Sequence, residues 1–278
     1  MKITYLGTGA SEGFPGLFCQ CGACARARKL GGKNIKTRCC ALINDKVLLD
    51  ISPDIYWQSL RENIDLSKIR HLIMTHSHGD HLNTFAISLR LRDMASVCLK
   101  PQERTFYIYG NETVHLVIKE ELSRIPNANG ERMHYQEIHA FDSIQVDSLK
   151  ITALKADHKK DEECLIYAIQ DERGSFLYAN DTGAVPLETL EFLKKSQFCF
   201  DVVSMDSARG TLPGDGHMGF QENLEFRRQL EDMGAVHKNT RYFLNHFSHM
   251  CGLTPEEYQQ IIKKDGFVLA YDGMKLEI

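Results

Sequence analysis

Hydrophobic positions along this chain fall first into short strand-like runs and later into runs that alternate with amphipathic helical stretches. Ile3–Leu6 predicts a strand that runs into the glycine-rich loop Gly7–Gly16. Cys39–Asn44 and Lys46–Ile51 predict a hairpin that turns at the polar Asp45, and a helix is expected around Asp54–Glu62. Ile69–Met74 is an apolar strand delivering the polar run Thr75–His81, after which a helix is expected from about Asn83 to Asp93. Further strands are expected at Thr105–Tyr109, Ser143–Val146, Lys150–Ala156, Leu165–Gln170 and Phe176–Ala179, with a helix over Glu112–Ser123. The last third alternates helix Pro186–Lys195, strand Asp201–Met205, helix Phe220–Met233, strand Arg241–Leu244, helix Pro255–Lys264 and strand Phe267–Ala270. Strands first and alternating elements later predict an α/β chain of two packed sheets with helices outside. No linker-like stretch divides it, so one domain over 1–278 is expected.

Composition narrows the classes. Hydrophobic residues make up 43% and charged residues 25% of the 278, which fits a globular chain and excludes collagen-like, coiled-coil and disordered ones. Lys+Arg 33 against Asp+Glu 37 gives a net charge of −4, so no global field grips long nucleic acid or an anionic membrane. Glycine follows Leu6 too early for a secretory leader and no apolar run reaches membrane-span length; a cytoplasmic protein is expected. Nine cysteines, three of them crowded at 19, 21 and 24, point in a reducing compartment to metal rather than disulfides. The glycine loop lacks the Walker spacing and its lysine, so it is read as a tight loop near the site.

The strongest chemical signal is Thr75-His76-Ser77-His78-Gly79-Asp80-His81. In an extended segment, residues two apart project to the same side, so His76 and His78 can share one cation. The Gly79 turn lets Asp80 and His81 reach a second. This run resembles the H-x-H-x-D-H motif of the metallo-β-lactamase superfamily, whose members fold as αββα sandwiches of two mixed sheets flanked by helices. The resemblance implies further ligands at strand ends downstream, and His158, Asp181 and His246 stand at such ends. It implies a dinuclear site in which His76, His78 and His158 hold one cation, Asp80, His81 and His246 the other, and Asp181 bridges. Asp80 also counts as catalytic in this reading. Asp50, which ends Val47-Leu48-Leu49-Asp50, sits where the superfamily often has an acidic residue supporting the metal loop.

Cys19, Cys21 and Cys24 can wrap one soft cation but are one ligand short of a closed tetrahedral site. Together with Gly7-Thr-Gly-Ala-Ser-Glu-Gly-Phe-Pro15, the triple is similar to the PhnP-type phosphoribosyl cyclic phosphodiesterase branch. That resemblance implies a structural zinc completed by His249, and a general acid at His217 in the loop Pro213–Gly219. The stretch 94–142 is longer than expected for the branch and reads as a cap-like insertion.

The resulting expectation is a dinuclear hydrolase of small phosphate esters, with cyclic ones among the candidates, two active-site cations (Mn, Zn or Fe) and one structural Zn. Two alternatives stand beside it. One is a carbon-ester or RNA-processing hydrolase on the same scaffold; the other is a non-hydrolytic metal-binding protein resembling the pyrroloquinoline-quinone pathway member that shares the glycine loop and Cys triple. No membrane partner is expected, long nucleic acid is disfavoured, and a homodimer is left open.

Overall fold

The computed structural model describes residues 1–92, 100, 103, 105–125 and 130–278. The first half runs β1 (Lys2–Gly7), α1 (Gly22–Leu30), β2 (Cys40–Ile43), β3 (Val47–Leu49), α2 (Ile55–Arg61), β4 (His71–Ile73), α3 (Thr84–Arg90), β5 (Phe106–Gly110), α4 (Glu112–Ser123) and β6 (Met133–Glu137). The second runs β7 (Ser143–Val146), β8 (Leu149–Lys155), β9 (Leu165–Asp171), β10 (Gly174–Ala179), α5 (Leu187–Ser196), β11 (Phe200–Asp206), α6 (Phe220–Asp232), β12 (Val236–Asn245), α7 (Pro255–Ile262), β13 (Phe267–Leu269) and β14 (Lys275–Glu277).

Among the described residues these strands form two seven-stranded sheets, β14-β1-β2-β3-β4-β5-β6 and β13-β12-β11-β10-β9-β8-β7. Strand alternation explains the layering. Ile3, Tyr5, Ala41, Ile43, Val47 and Leu49 face inward and meet Ile151, Tyr167, Phe176, Tyr178 and Phe243 of the second sheet. Their neighbours Leu6, Cys40, Leu42 and Leu48 face the other way and pack with Ile55, Ile87, Val114 and Ile118 of α2, α3 and α4. On the far side Leu177, Val203 and Leu244 pack against Leu193, Phe226 and Tyr258 of α5, α6 and α7. Helix, sheet, sheet, helix is the expected αββα sandwich.

Local chemistry accounts for several elements. The β2–β3 hairpin turns on Asn44 and Asp45, both at positive φ (50° and 56°), residue types that tolerate the left-handed turn. Thr254 caps α7, Glu257 completes the capping box and Pro255 opens the helix. Three elements are absent from the sequence reading. Helix α1 begins inside the cysteine run, with Cys21 as its N-cap accepting from the Cys24 N–H. Strands β6 and β14 are short and edge-placed, and β6 is largely exposed, so no buried face imposes an apolar alternation there. The described residues of the stretch 94–142, expected as a cap, are mainly β5 and β6, which extend the first sheet, and α4, which packs on its outer face; 94–99, 101, 102, 104 and 126–129 lie outside the described residues. No described helix is long and apolar enough to cross a membrane.

Strand direction creates one functional edge. β3, β4 and β5 are parallel, as are β10, β11 and β12, and β8 shares their direction through the antiparallel β9. The residues leaving β3, β4, β8, β10, β11 and β12 therefore emerge together, and at such carboxyl ends open α/β sheets commonly bind ligands.

Candidate metal centre

Asp50 follows β3, the run Thr75–His81 follows β4, His158 follows β8, Asp181 follows β10, Asp206 ends β11 and His246 follows β12. Three of these non-glycine residues, Asp50, Asp181 and His246, sit at left-handed φ of 59°, 54° and 56°. Such angles are uncommon outside glycine and persist where the surroundings enforce them, so their clustering marks a constrained site.

The first group is three imidazoles. His78 Nδ1 lies 2.9 Å from His76 Nε2 and 3.0 Å from His158 Nε2. A tetrahedral ion held at about 2.0–2.1 Å spaces its nitrogen ligands by roughly 3.3 Å, close to what the side chains present. The second group is Asp80, His81, Asp181 and His246, whose ligand atoms lie within 4.8 Å of one another. His81 Nε2 is 3.2 Å from Asp80 Oδ2 and in direct contact with Asp181 Oδ2, and His246 Nε2 is 3.7 Å from Asp80 Oδ2. Asp181 also faces the first group, 3.6 Å from His76 Nε2 and 3.9 Å from His158 Nε2. It is thus the carboxylate common to both groups.

The outer nitrogens assign the tautomers. His76 Nδ1 donates to Thr75 Oγ1 at 3.0 Å, and Thr75 Oγ1 in turn donates to Asp50. His81 Nδ1 donates to Asp50 Oδ2 at 2.7 Å, and His158 Nδ1 to the Gly216 carbonyl at 3.2 Å. Each arrangement leaves Nε2 bare and inward, as a cation requires. Asp50 also accepts from Thr75 N at 2.8 Å.

Electrostatics separate the two groups. Burial and mutual repulsion push His76 and His78 below their ordinary values, giving a pocket of neutral imidazoles. Burial works the same way on His81 and His246, but Asp181, Asp50, Asp80 and Asp206 outweigh it and raise both, His246 to about 10. Despite burial, the histidines around them hold Asp80 and Asp181 below the usual carboxylate range. A further observation tests the fit to cations: His81 Nε2, both nitrogens of His246 and Asp181 Oδ1 are buried without an aligned hydrogen-bond partner. Buried polar atoms are rarely left so, and divalent cations would satisfy His81 Nε2, Asp181 Oδ1 and one nitrogen of His246.

Cys19, Cys21, Cys24 and His249 also converge, with His249 Nδ1 at 3.3 Å from Cys19 Sγ and 3.6 Å from Cys21 Sγ. Backbone N–H groups point at the sulfurs: Gly16 to Cys24 (3.2 Å), Cys21 to Cys19 (3.4 Å) and Cys24 to Cys21 (3.4 Å). Burial disfavours the Cys21 thiolate, but the Cys24 N–H, His249 and the neighbouring Cys19 and Cys24 thiols bring it down to about 6. Cys24, more deeply placed, is pushed up to about 12 by burial. Four N/S ligands fit a closed tetrahedral zinc. The adjoining backbone ties the loops together, Phe247 N to Thr8 O at 3.0 Å and Ala10 N to Phe247 O at 3.1 Å.

His217 joins the same edge: its Nδ1 lies 2.8 Å from Asp206 Oδ2 and 3.2 Å from Asp181 Oδ1. Sequence reasoning missed Asp206, although a carboxylate directly ending an apolar strand is the same signal that Asp50 carries. It also missed Glu162, whose buried carboxylate accepts from Ser77 Oγ (2.5 Å), Asn111 Nδ2 (2.8 Å) and Lys159 Nζ (3.1 Å). Ser77 lies between His76 and His78 and Lys159 follows His158, so Glu162 braces both sides of the three-imidazole group.

A four-layer sandwich with two adjoining His/Asp groups at its strand-end edge is the architecture of a metallo-β-lactamase-fold hydrolase. Residues 45–247 match the family model of the beta-lactamase superfamily domain, and the chain belongs to that family. Among solved structures it is similar to a diphosphatase of the PhnP family (TM-score 0.74, 24% identity, 100% of this chain and 97% of that one). It is also similar to zinc-bound PqqB from Methylobacterium extorquens (0.72, 17%, 100% and 100%) and to the short form of human tRNase Z (0.66, 17%, 100% and 99%). At these identities the likeness establishes the fold. Among curated proteins it is 24% identical over 282 residues to an octanoyltransferase of Porphyromonas gingivalis (strain ATCC BAA-308 / W83). The match takes in 99% of this chain and 51% of that protein, so the chain spans about half the length of this relative.

Proposed function

We propose that this chain is a dinuclear metal-dependent phosphodiesterase acting on small phosphate esters, cyclic ones included. The observation that carries the reading is the Asp181 carboxylate standing between a three-imidazole group and an Asp/His group, with His217 at its side. His76, His78 and His158 would hold one divalent cation, Asp80, His81 and His246 the other, and Asp181 would serve both. Bound there, Mn²⁺, Zn²⁺ or Fe²⁺ supplies Lewis acidity to a phosphoryl oxygen and lowers the pKa of water. Cys19, Cys21, Cys24 and His249 would hold one structural zinc, pinning the N-terminal loop against the segment that carries His246.

The chain's own groups do the rest. Gly216 and Asp50 orient ligands through their outer nitrogens. As the phosphorus–oxygen bond to the leaving group breaks and one to a water oxygen forms, His217 gives a proton from Nε2 to the departing oxygen, and the proton lost by water passes to solvent, from which His217 is reprotonated. The names of two fold neighbours, a diphosphatase and a tRNase, support phosphoryl chemistry, and a net charge of −4 favours a small substrate over a long polyanion.

The test is a substrate panel on protein resupplied with Mn²⁺ and Zn²⁺: a cyclic ribose phosphate, bis-nitrophenyl phosphate, a short RNA, a nitrophenyl carboxylic ester and a β-lactam. The phosphodiesters are expected to react fastest, and only with metal bound. Faster turnover of the carboxylic ester or lactam overturns the phosphodiesterase reading and leaves a carbon-ester hydrolase.

A further inference from the structure

Asp181 and His246 are each preceded by a buried asparagine, Asn180 and Asn245. Tyr178 and Phe243, two residues earlier on the same strands, face the core between the sheets, so strand alternation turns both amides toward that space. Ser204 of β11 is the register partner of Tyr178 and of Phe243, and Tyr5 and Cys39 close the layer from the first sheet. All six polar side chains, Tyr5, Cys39, Tyr178, Asn180, Ser204 and Asn245, are at most 1% exposed. Their mutual bonds use up the amide oxygens: Ser204 Oγ donates to Asn180 Oδ1 at 3.2 Å, and Cys39 Sγ to Asn245 Oδ1 at 3.7 Å. Four atoms are left buried without an aligned partner, Asn180 Nδ2, Asn245 Nδ2 and the hydroxyls of Tyr5 and Tyr178. Tyr5 lies beside Ser204 and Tyr178 beside Asn180, yet neither hydroxyl is aligned for a bond. Burial pushes both phenols above their ordinary pKa, so each remains a donor.

We propose that this layer is an internal water site, in which water held by the Asn180 and Asn245 amides and the Tyr5 and Tyr178 hydroxyls seats the two strand ends from which Asp181 and His246 turn into the metal centre. The chemistry of the free atoms selects the ligand. The amides are left with N–H groups alone, which do not bind a cation. A buried anion would need a cationic partner, and no lysine or arginine stands in the layer, while Asp50, Asp80 and Asp181 lie close enough to raise Tyr178 or Cys39. Water accepts from the amides and exchanges hydrogen bonds with the phenols; buried waters make about three such bonds to atoms otherwise unsatisfied. The seating follows from adjacency in the chain. Asp181 and His246 stand at left-handed φ of 54° and 56°, and an amide anchored one residue earlier fixes where each turn begins. The seating role rests on the ion pair proposed above; the water site does not.

The test joins a high-resolution crystal structure of the zinc-loaded protein, a second crystal soaked in bromide, and thermal melts of Tyr5→Phe, Tyr178→Phe and the double variant. Solvent density within hydrogen-bond distance of both amide nitrogens and at least one phenol oxygen is expected. A phenol bound to water loses that bond on becoming Phe, so each single variant should melt about 1–5 °C lower. The double variant should lose less than the sum, because the two hydroxyls share one site. Against a competing chelator the double variant should hold the centre's zinc about 10-fold less tightly while keeping the Cys/His zinc. Amides bonded directly to protein atoms, with no solvent density between them, overturn the proposal; so does an anomalous bromide peak at that position, which would make it an anion site. Single variants as stable as wild type, or losses that simply add, overturn it as well. Unchanged zinc retention in the double variant overturns the seating role. If a variant does not fold, the density in wild type still decides the site. Wild type that retains no zinc at the centre ends the ion-pair reading and leaves the water site to the density alone.

Discussion

Asp50 Oδ2 lies 2.7 Å from His81 Nδ1, and the same carboxylate holds the Thr75 backbone and hydroxyl, so one buried side chain sets both ends of the run that carries His76, His78 and Asp80. The left-handed φ of 59° at Asp50 shows that the turn out of β3 is shaped to bring it there. Asp50→Ala removes the acceptor that keeps His81 Nε2 bare. It is expected to weaken binding of a divalent cation by about 10–100-fold and to lower hydrolysis in proportion, measurable by competition with a metal-sensitive chelator. Unchanged affinity would reduce Asp50 to a turn residue.

Asp181→Asn keeps a residue type that tolerates the left-handed conformation at 181, so the fold should survive, with far-ultraviolet circular dichroism unchanged. The amide has one acceptor oxygen where the two groups share two. Hydrolysis should fall at least about 100-fold, and the number of ions retained after dialysis should drop. Full metal retention with full activity would remove Asp181 from the centre.

These expectations differ in how visible they are from sequence. His76, His78, Asp80 and His81 lie within six residues, and a short extended run plus one glycine suffices to place them. His158, Asp181 and His246 are single residues whose roles rest on family resemblance, and the parallel strand ends bring them together. Glu162 was invisible because it acts through Ser77, 85 residues away, and an isolated carboxylate carries no spacing pattern, whereas Asp206 does end an apolar strand as Asp50 does but nothing in the sequence ties it to His217, 11 residues on. The Gly216 carbonyl on His158 has no side-chain signal at all. Helix α1 was hidden by its cysteines: metal-ligand spacing drew attention away from the helix-favouring Ala23-Cys24-Ala25-Arg26-Ala27-Arg28.

Cys21 caps α1 and belongs to the Cys/His group, so Cys21→Ser should release zinc and lower stability together. A serine can still cap the helix, which isolates the loss of the metal ligand. A fall in melting temperature of roughly 5–10 °C is expected, with one fewer ion per chain by elemental analysis. A zinc-replete Cys21→Ser with wild-type stability would contradict the structural site.

Glu162→Gln keeps the shape of the brace but removes the charge that faces Lys159. Ser77 and Asn111 retain an acceptor, so the chain should fold with a stability loss of about 1–3 kcal/mol in urea unfolding. Because Glu162 steadies the loops on both sides of the three-imidazole group, its loss should weaken one ion of the pair more than the other, seen as a biphasic metal titration where wild type is tighter. A single unchanged titration would show that Ser77 and Lys159 do not need it.

Lys36 offers a test away from the centre. It is almost wholly buried, with its ammonium donating to Thr8 Oγ1 at 3.1 Å and to the Ala270 carbonyl, and burial brings its pKa down to about 8 against the partial support of Asp272. The folded chain therefore releases this proton near pH 8, whereas the unfolded chain holds it to about 10.5. Between those values the unfolded state binds more protons, so stability rises with pH; below pH 8 the full cost of the buried charge is present. Lys36→Met fills similar volume without titrating. The stability of wild type relative to Lys36→Met should thus increase from pH 7 to about pH 9.5 in paired urea unfolding curves. A difference that stays flat or shifts the other way would mean that Asp272 and the surrounding acceptors stabilise the ammonium enough to keep it charged in the folded state.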